Sequence, residues 1–221
     1  MAKTRLIIWD FNGSLVDDTW LFTKIINTML SNHGLKNISM NDYRDVFCFP
    51  IEKYYRRLGF NFEISSFNSL SNEFISLYNR HKYQAKLYSG AISLLRKIQS
   101  HRIDMCLLSA QNHSSLIELS KYYGIHSIFN VVQGTDNINA RGKSALAKKI
   151  ISLFDYKSDE ILFIGDTNMD IELASENNTK VLALTCGHQS SHRFPRLPFI
   201  LKVGSFGQIE ACLQSKFLDY L

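Results

Sequence analysis

Two hydrophobic patterns alternate along the chain. Short, nearly unbroken apolar runs at residues 4–10, 103–108, 128–132, 161–164 and 180–184 have the length and β-branched content of strands buried on both faces. Between them, apolar residues recur at helical spacing: Ala91, Leu94, Leu95 and Ile98 mark one helix, and Leu146, Ile150 and Phe154 mark another over 144–154. Strands of this type alternating with helices predict an α/β fold, a doubly wound parallel sheet with a Rossmann-like core covered by helices on both faces.

Residues 17–88 interrupt the alternation. Leu21, Ile25, Ile26, Met29 and Leu30 form one helical stripe, stretches at 41–47, 51–58 and 67–83 read as further helices, and no strand pattern intervenes. The expectation is a core domain from 1–16 and 89–221, with a small all-helical cap domain at 17–88 inserted after the first strand. Residues 185–198, with Gly187, Pro195 and Pro198, read as an irregular loop.

Composition narrows the function classes. The 221 residues are 45% hydrophobic and 20% charged, as in an ordinary globular chain, and the net charge of +5 is dispersed with no basic run longer than a pair. A nucleic-acid partner is not expected, because its footprint needs clustered basic residues. No stretch approaches the roughly 18 apolar residues of a membrane span, and the first apolar run is too short for a signal-peptide core, so a cytoplasmic location is expected. Cys48, Cys106, Cys186 and Cys212 are widely spaced and never form C-x-x-C, which favours reduced thiols over disulfides or zinc.

Ligands of an open parallel sheet bind at the carboxyl ends of its strands, so the polar residues that end the apolar runs are expected to converge. These are Asp10, Ser109 and Asp166. Lys143 follows Gly142 at a predicted helix start, where a cation opposes the helix dipole unless an anion lies nearby. Taken singly, each has a structural reading: Asp10 as a turn opener before Asn12-Gly13, Ser109 and Asp166 as helix caps, Lys143 and Asp170 as solvated surface charge.

Together these residues resemble the motifs of the haloacid dehalogenase superfamily, and the resemblance covers nearly the whole chain. Asp10-Phe11-Asn12-Gly13-Ser14-Leu15 is similar to the first motif, Ser109 to the second, Lys143 to the third, and Gly165-Asp166-Thr167-Asn168-Met169-Asp170 to the fourth. The helical insert is similar to the cap of the branch that includes phosphoglycolate phosphatases and β-phosphoglucomutases. The resemblance implies a phosphatase for a small phosphorylated metabolite such as phosphoglycolate or a sugar phosphate. Asp10 would attack phosphorus to form an aspartyl phosphate. Asp10, Asp166, Asp170 and the backbone carbonyl of Asn12 would serve a Mg²⁺ site, whose oxygen ligands suit a hard cation. Ser109 and the amides of Ala110 and Gln111 would bind the phosphoryl oxygens, and Lys143 would offset the repulsion between carboxylate and phosphate.

One position departs from the pattern. Family phosphatases usually carry a second aspartate where this chain has Asn12, and an amide cannot exchange a proton with the leaving group. Losing that help slows chemistry by roughly 10²–10⁴-fold. Either the leaving group needs no acid, or Asp17, Asp18 or Glu52 supplies the proton, or the protein binds phosphate compounds with weak turnover. A phosphomutase or a phosphonatase, for which Lys53 is the candidate amine, are further relatives. In the cap, Arg56, with Arg44, Lys53 and Arg57, is the candidate contact for a second anionic group on the substrate. His188 and His192, one helical turn apart, form a weaker metal motif, and Tyr54, Tyr55 and Phe47–Phe49 read as packing.

Overall fold

The computed structural model describes residues 3–136 and 142–217. The chain opens with β1 (Leu6–Trp9) and β2 (Val16–Asp17), then runs through helices α1 (Thr19–Asn32), α2 (Met40–Val46), α3 (Ile51–Arg57) and α4 (Phe67–His81). It continues as β3 (Lys86–Leu87), α5 (Ala91–Ser100), β4 (Asp104–Asn112), α6 (His113–Tyr122), β5 (Val131–Thr135), α7 (Lys143–Ile151), β6 (Ile161–Gly165), α8 (Asn168–Glu176), β7 (Lys180–Leu184), β8 (Ile200–Val203) and α9 (Phe206–Cys212).

Six strands form one parallel sheet in the order β5-β4-β1-β6-β7-β8. The expected α/β architecture is therefore present, with β1 at the centre. The connection from β1 leads to β4 on one side while β6 lies on the other, which opens a crevice at the carboxyl end of β1. Strand periodicity divides the apolar residues between two cores. Ile7, Trp9, Met105, Leu107, Leu162 and Ile164 belong to one, which continues through Phe11 and Leu15 into Leu21, Ile25, Tyr43 and Tyr54 of the helical segment. Leu6, Ile8, Cys106, Leu108, Phe163 and Val181 belong to the other, under Ala147, Ile150 and Ile171.

Three differences from the sequence pattern are local. The strand expected at 128–132 begins later, because His126–Ile128 folds as a 3₁₀ turn and β5 covers Val131–Thr135. The edge strand β8 carries only one fully buried apolar residue, Val203, and so gives little hydrophobic signal. The antiparallel pair β2–β3 joins Val16 to Leu87 and Asp17 to Lys86 where the chain enters and leaves the helical segment, and two-residue strands have no readable period. Among the described residues no helix is long and apolar enough to cross a membrane, and all four cysteines are unpaired.

The 185–198 segment is irregular in backbone yet firmly tied. Gln189 is buried; its Oε1 accepts from the Asn168 amide at 2.7 Å, and its Nε2 donates to the Phe47 carbonyl at 2.8 Å. Arg193 donates to the carbonyls of Arg44 and Phe47 as well, so one loop joins the end of α2 to the start of α8. Replacing Gln189 with Leu leaves the Asn168 N–H without its partner, while the Phe47 carbonyl keeps Arg193. Urea denaturation of Gln189→Leu is expected to show a loss of about 2 kcal/mol, the scale of a buried group left unsatisfied.

Candidate active site

The site grows from the turn that follows β1. The Phe11 carbonyl accepts from the amides of Ser14, Leu15 and Val16, while Gly13 takes a φ of 72° that a side chain would resist. This tight reversal leaves Asp10 at the strand end, pointing into the crevice. Just beyond the neighbouring strand β6, Thr167 and Asp170 close a capping box at the start of α8, with Asp170 Oδ2 accepting from the Thr167 amide at 3.0 Å and hydroxyl at 2.8 Å. The other Asp170 oxygen is thereby aimed at Lys143.

Lys143, at the first position of α7, is 4% exposed and spans the crevice. Its ammonium donates to Asp10 Oδ1 at 2.5 Å and to Asp170 Oδ1 at 2.7 Å. Burial works against that charge, but the two carboxylates outweigh it and hold the lysine pKa above its ordinary value. The anion demanded by a lysine at a helix start is thus supplied twice.

Asp166 is enclosed by backbone. Its Oδ1 accepts from the Ser14 hydroxyl at 2.7 Å and its Oδ2 from the His188 amide at 2.6 Å. A Cβ added at either Gly13 or Gly187 would overlap the carboxylate. Oxygens of Asp10, Asp166 and Asp170 all lie within 4.8 Å of one another. Burial pushes the Asp10 carboxyl up to about 8 despite the lysine beside it, with repulsion from Asp170 and Asp166 adding to the effect. Burial likewise raises Asp166, against the opposing pull of His188. Three crowded hard-oxygen donors could hold a divalent cation, and its charge would relieve the crowding. Asp170 already serves Lys143 and Thr167, so Asp10 and Asp166 have the freer lone pairs.

Only one of the three carboxylates is reachable. Asp10 retains 11% side-chain exposure and lines the cavity above the crevice, whereas Asp166 and Asp170 are at 0% and 2% and do not line it. Ser109, Ala110, Gln111 and Lys143 line the same cavity. Ser109 sits within β4 and not at a helix start, since β4 runs on to Asn112 and α6 is capped there by the Asn112 side chain. The Gln111 amide donates to Ser109 Oγ at 3.1 Å.

Asn12 also faces the cavity, and its amide is held from below. Nδ2 donates to Asp18 Oδ2 at 2.6 Å and to the Tyr78 hydroxyl at 3.1 Å, while Asp18 Oδ1 accepts from the Gly13 amide at 2.8 Å. Asp18 is fully buried, so it requires donors on both oxygens, and Asn12 is one of them. His188 completes the group: Nε2 lies 3.2 Å from Asp18 Oδ1, off the hydrogen-bonding axis, and Nδ1 lies 2.8 Å from the Tyr43 hydroxyl. Burial disfavours the imidazolium, but Asp18 and the other nearby carboxylates raise its pKa on balance.

The remaining candidates do not converge here. Arg56 is exposed, with its guanidinium 4.3 Å from the centre of the Phe62 ring and 3.8 Å from Glu52, and neither residue lines the cavity. Lys53 and Arg57 are exposed and Arg44 donates to the Thr185 carbonyl, so the basic group on α2 and α3 stays outside. Asp17 is exposed on β2. His192 pairs with Asp45 at the surface, 3.6 Å away, apart from buried His188. The aromatics read as packing do pack, but Phe47, Phe49, Tyr54 and Tyr55 line the cavity too. In the sequence, Ser14 and Tyr78 have no assigned role, Asp18 is only an alternative acid and His188 only half of a metal pair, because what each does here depends on contacts across the chain.

The sequence profile of the haloacid dehalogenase-like hydrolases matches residues 7–184. The chain belongs to this family. Among curated relatives, it is 23% identical over 190 residues to a phosphoglycolate phosphatase of Synechococcus elongatus, covering 83% of this chain and 84% of that one. It is 19% identical over 216 residues to a phosphoglycolate phosphatase of Rhodobacter capsulatus, covering 94% and 96%. Among solved structures, a haloacid dehalogenase-like hydrolase family protein from Streptococcus pneumoniae superposes with a TM-score of 0.79 at 20% identity, over 97% of this chain and all of the other. This member of the haloacid dehalogenase-like family differs from the expected motif at Asn12, and the Asp18 contact shows how that amide is accommodated.

Asn12→Asp would set two carboxylates against each other at Asp18. The variant is expected to lose about 2 kcal/mol of stability at neutral pH, the scale of a hydrogen bond to a charged group. The loss should shrink in acid, where the two carboxylates can share a proton. The swapped pair Asn12→Asp/Asp18→Asn restores a donor between the positions and should recover most of the stability in chemical denaturation at both pH values.

Proposed function

We propose that this hydrolase is a Mg²⁺-dependent phosphatase of small phosphomonoesters that acts through an aspartyl phosphate on Asp10. The observation that carries the reading is the buried Lys143 ammonium bonded to both Asp10 and Asp170 beside a cavity that Asp10, alone of the three clustered carboxylates, lines. A carboxylate approaching a phosphate dianion meets like-charge repulsion, and a fixed cation at that point lowers it. The curated relatives named as phosphoglycolate phosphatases agree with this chemistry in kind.

In the first step Asp10 attacks phosphorus, an Asp10–phosphorus bond forms, and the ester bond breaks with its electron pair on the leaving oxygen. Water then attacks phosphorus, releasing inorganic phosphate and restoring Asp10. Lys143 holds the nucleophile and draws charge from the phosphoryl group, and Asp170 positions Lys143. Ser109 and the adjoining Ala110 and Gln111 backbone bind the phosphoryl oxygens. Asp10, Asp166 and the Asn12 backbone carbonyl would hold Mg²⁺, with Asp170 near the two carboxylates, and the ion would supply further neutralisation of the phosphate when bound. Residues 17–88 act as a cap that forms the cavity roof over the core of 1–16 and 89–221.

Asn12 leaves the leaving oxygen without an acid, and no second carboxylate among the described cavity residues takes its place. Esters of acidic alcohols should be cleaved well and those of ordinary alcohols poorly. Phosphate release should therefore fall steeply as leaving-group pKa rises. It should vanish in Asp10→Asn and drop by about 10²–10³-fold in Lys143→Ala, the usual loss for a preorganised charge-stabilising group. Release that persists in Asp10→Asn overturns the nucleophile assignment.

The raised Asp10 pKa sets a second expectation. Folding favours the protonated carboxyl, so without metal the Asp10 contribution to stability falls as pH rises from its unfolded value near 3.8 through about 8. Mg²⁺ needs the ionised form. The rise in Tm on adding Mg²⁺ should be larger at pH about 8 than at pH about 5.5, and Asp10→Asn should remove most of the difference.

A further inference from the structure

The cavity above Asp10 has a volume of about 270 Å³ and two unlike ends. At the sheet end are Asp10, Lys143 and Ser109. Away from it, Phe22, Ile26, Phe74 and Ile75 form apolar walls with Tyr54 and Tyr55. Among the described residues, the acidic and basic side chains that line the cavity are Asp10, Lys143 and His188. The basic residues of α2 and α3 are outside it. A substrate carboxylate or second phosphate would enter these walls without a counter-ion, and the several hydroxyls of a sugar would lose water against them.

The cavity is not simply unfilled core. Tyr54 and Ser71 line it, are 2% and 3% exposed, and have hydroxyls without a hydrogen-bond partner. Two buried orphan hydroxyls beside aromatic walls suit a flat apolar ligand bearing one polar substituent. An apolar cavity of about 150 Å³ accommodates benzene, so the space here is ample for a substituted ring.

Both observations meet the consequence of Asn12. A phenolate leaves phosphorus without first being protonated, whereas the alkoxide of a sugar or of glycolate does not leave readily. We infer that the substrate is a small aryl phosphate whose aryl group carries no charge, its ring against the wall formed by Phe22, Phe74 and Ile75 and its phosphoryl group on Asp10 and Lys143. This rests on the phosphatase reading and narrows its substrate class. The Asp10–phosphorus bond forms as the phosphorus–aryl oxygen bond breaks. The phenolate carries away the electron pair and takes a proton from solvent, and water then releases phosphate from Asp10.

The test compares phenyl phosphate, acetyl phosphate, phosphotyrosine, phosphoglycolate and glucose 6-phosphate on the full chain with Mg²⁺. Acetyl phosphate controls for intrinsic reactivity because its leaving group is better still but fills no ring site. Phosphotyrosine controls for charge. The expected result is a kcat/KM for phenyl phosphate at least about 100-fold above those for acetyl phosphate, phosphotyrosine and phosphoglycolate, the selectivity an apolar pocket can reach. Ile75→Arg should reduce that preference mainly through KM. Equal or better turnover of phosphoglycolate or glucose 6-phosphate overturns the inference while leaving the phosphatase reading intact. If no ester is turned over, the phosphatase reading fails, and calorimetric binding to wild type decides the ligand class. Saturable binding of phenyl phosphate without phosphoglycolate supports it, and the reverse rejects it.

Discussion

A single buried ammonium holds the crevice together. Lys143 touches Asp10 on the central strand and Asp170 on α8, and it stands at the head of α7, so three elements far apart in sequence meet through one charge. Removing one partner from such a cluster leaves an uncompensated buried ion, which typically costs 3–5 kcal/mol. The glycine-assisted turn after β1, the capping box of α8 and the placement of α7 are therefore conditions on one another. Each would lose its reason if the lysine had no carboxylates to meet.

The same centre explains why a buried, acidic site is tolerable at all. Asp166 is satisfied by a hydroxyl and an amide, Asp170 by an ammonium, an amide and a hydroxyl, and Asp18 by an amide side chain and a backbone N–H. Asp10 alone retains a small opening. Polarity at the floor thus coexists with an apolar roof, because nearly every floor carboxylate is engaged before a ligand arrives. Asn12 belongs to this economy of donors: its amide gives Asp18 a hydrogen that a carboxylate there would withhold.

The features legible in sequence were those with a period or a motif. Continuous apolar runs located β1, β6 and β7, and helical spacing located α1 and α5, because burial on a regular element leaves a regular trace. Asp10, Ser109 and Asp166 were legible as the polar ends of apolar runs, Lys143 as a cation at a helix start, and Asp170 only through the motif it shares with Asp166. What the pattern could not show depends on three-dimensional neighbours. The edge strand β8 is half exposed, β2 and β3 are too short for a period, and β5 starts later than its apolar run because His126–Ile128 folds as a 3₁₀ turn. Asp17 and Asp18 were equal candidates for the missing acid, and only the packing separates buried Asp18, committed to Asn12 and Gly13, from exposed Asp17. Arg56 looked like a substrate contact, yet the helix face carrying it turns to solvent and its guanidinium rests on Phe62.

Gly13 and Gly187 come from opposite ends of the fold and close on the same carboxylate, leaving no room for a Cβ beside Asp166. Neither contributes a functional group, so a map of chemically active atoms would pass over both. A map of mutational tolerance would not. At these two positions the smallest possible addition, a methyl group, presses on Asp166 from outside, so single-base missense changes there act on the acidic centre as surely as changes to the acid itself. The functional footprint of the site in sequence space is thus wider than the set of residues that could ever touch a ligand.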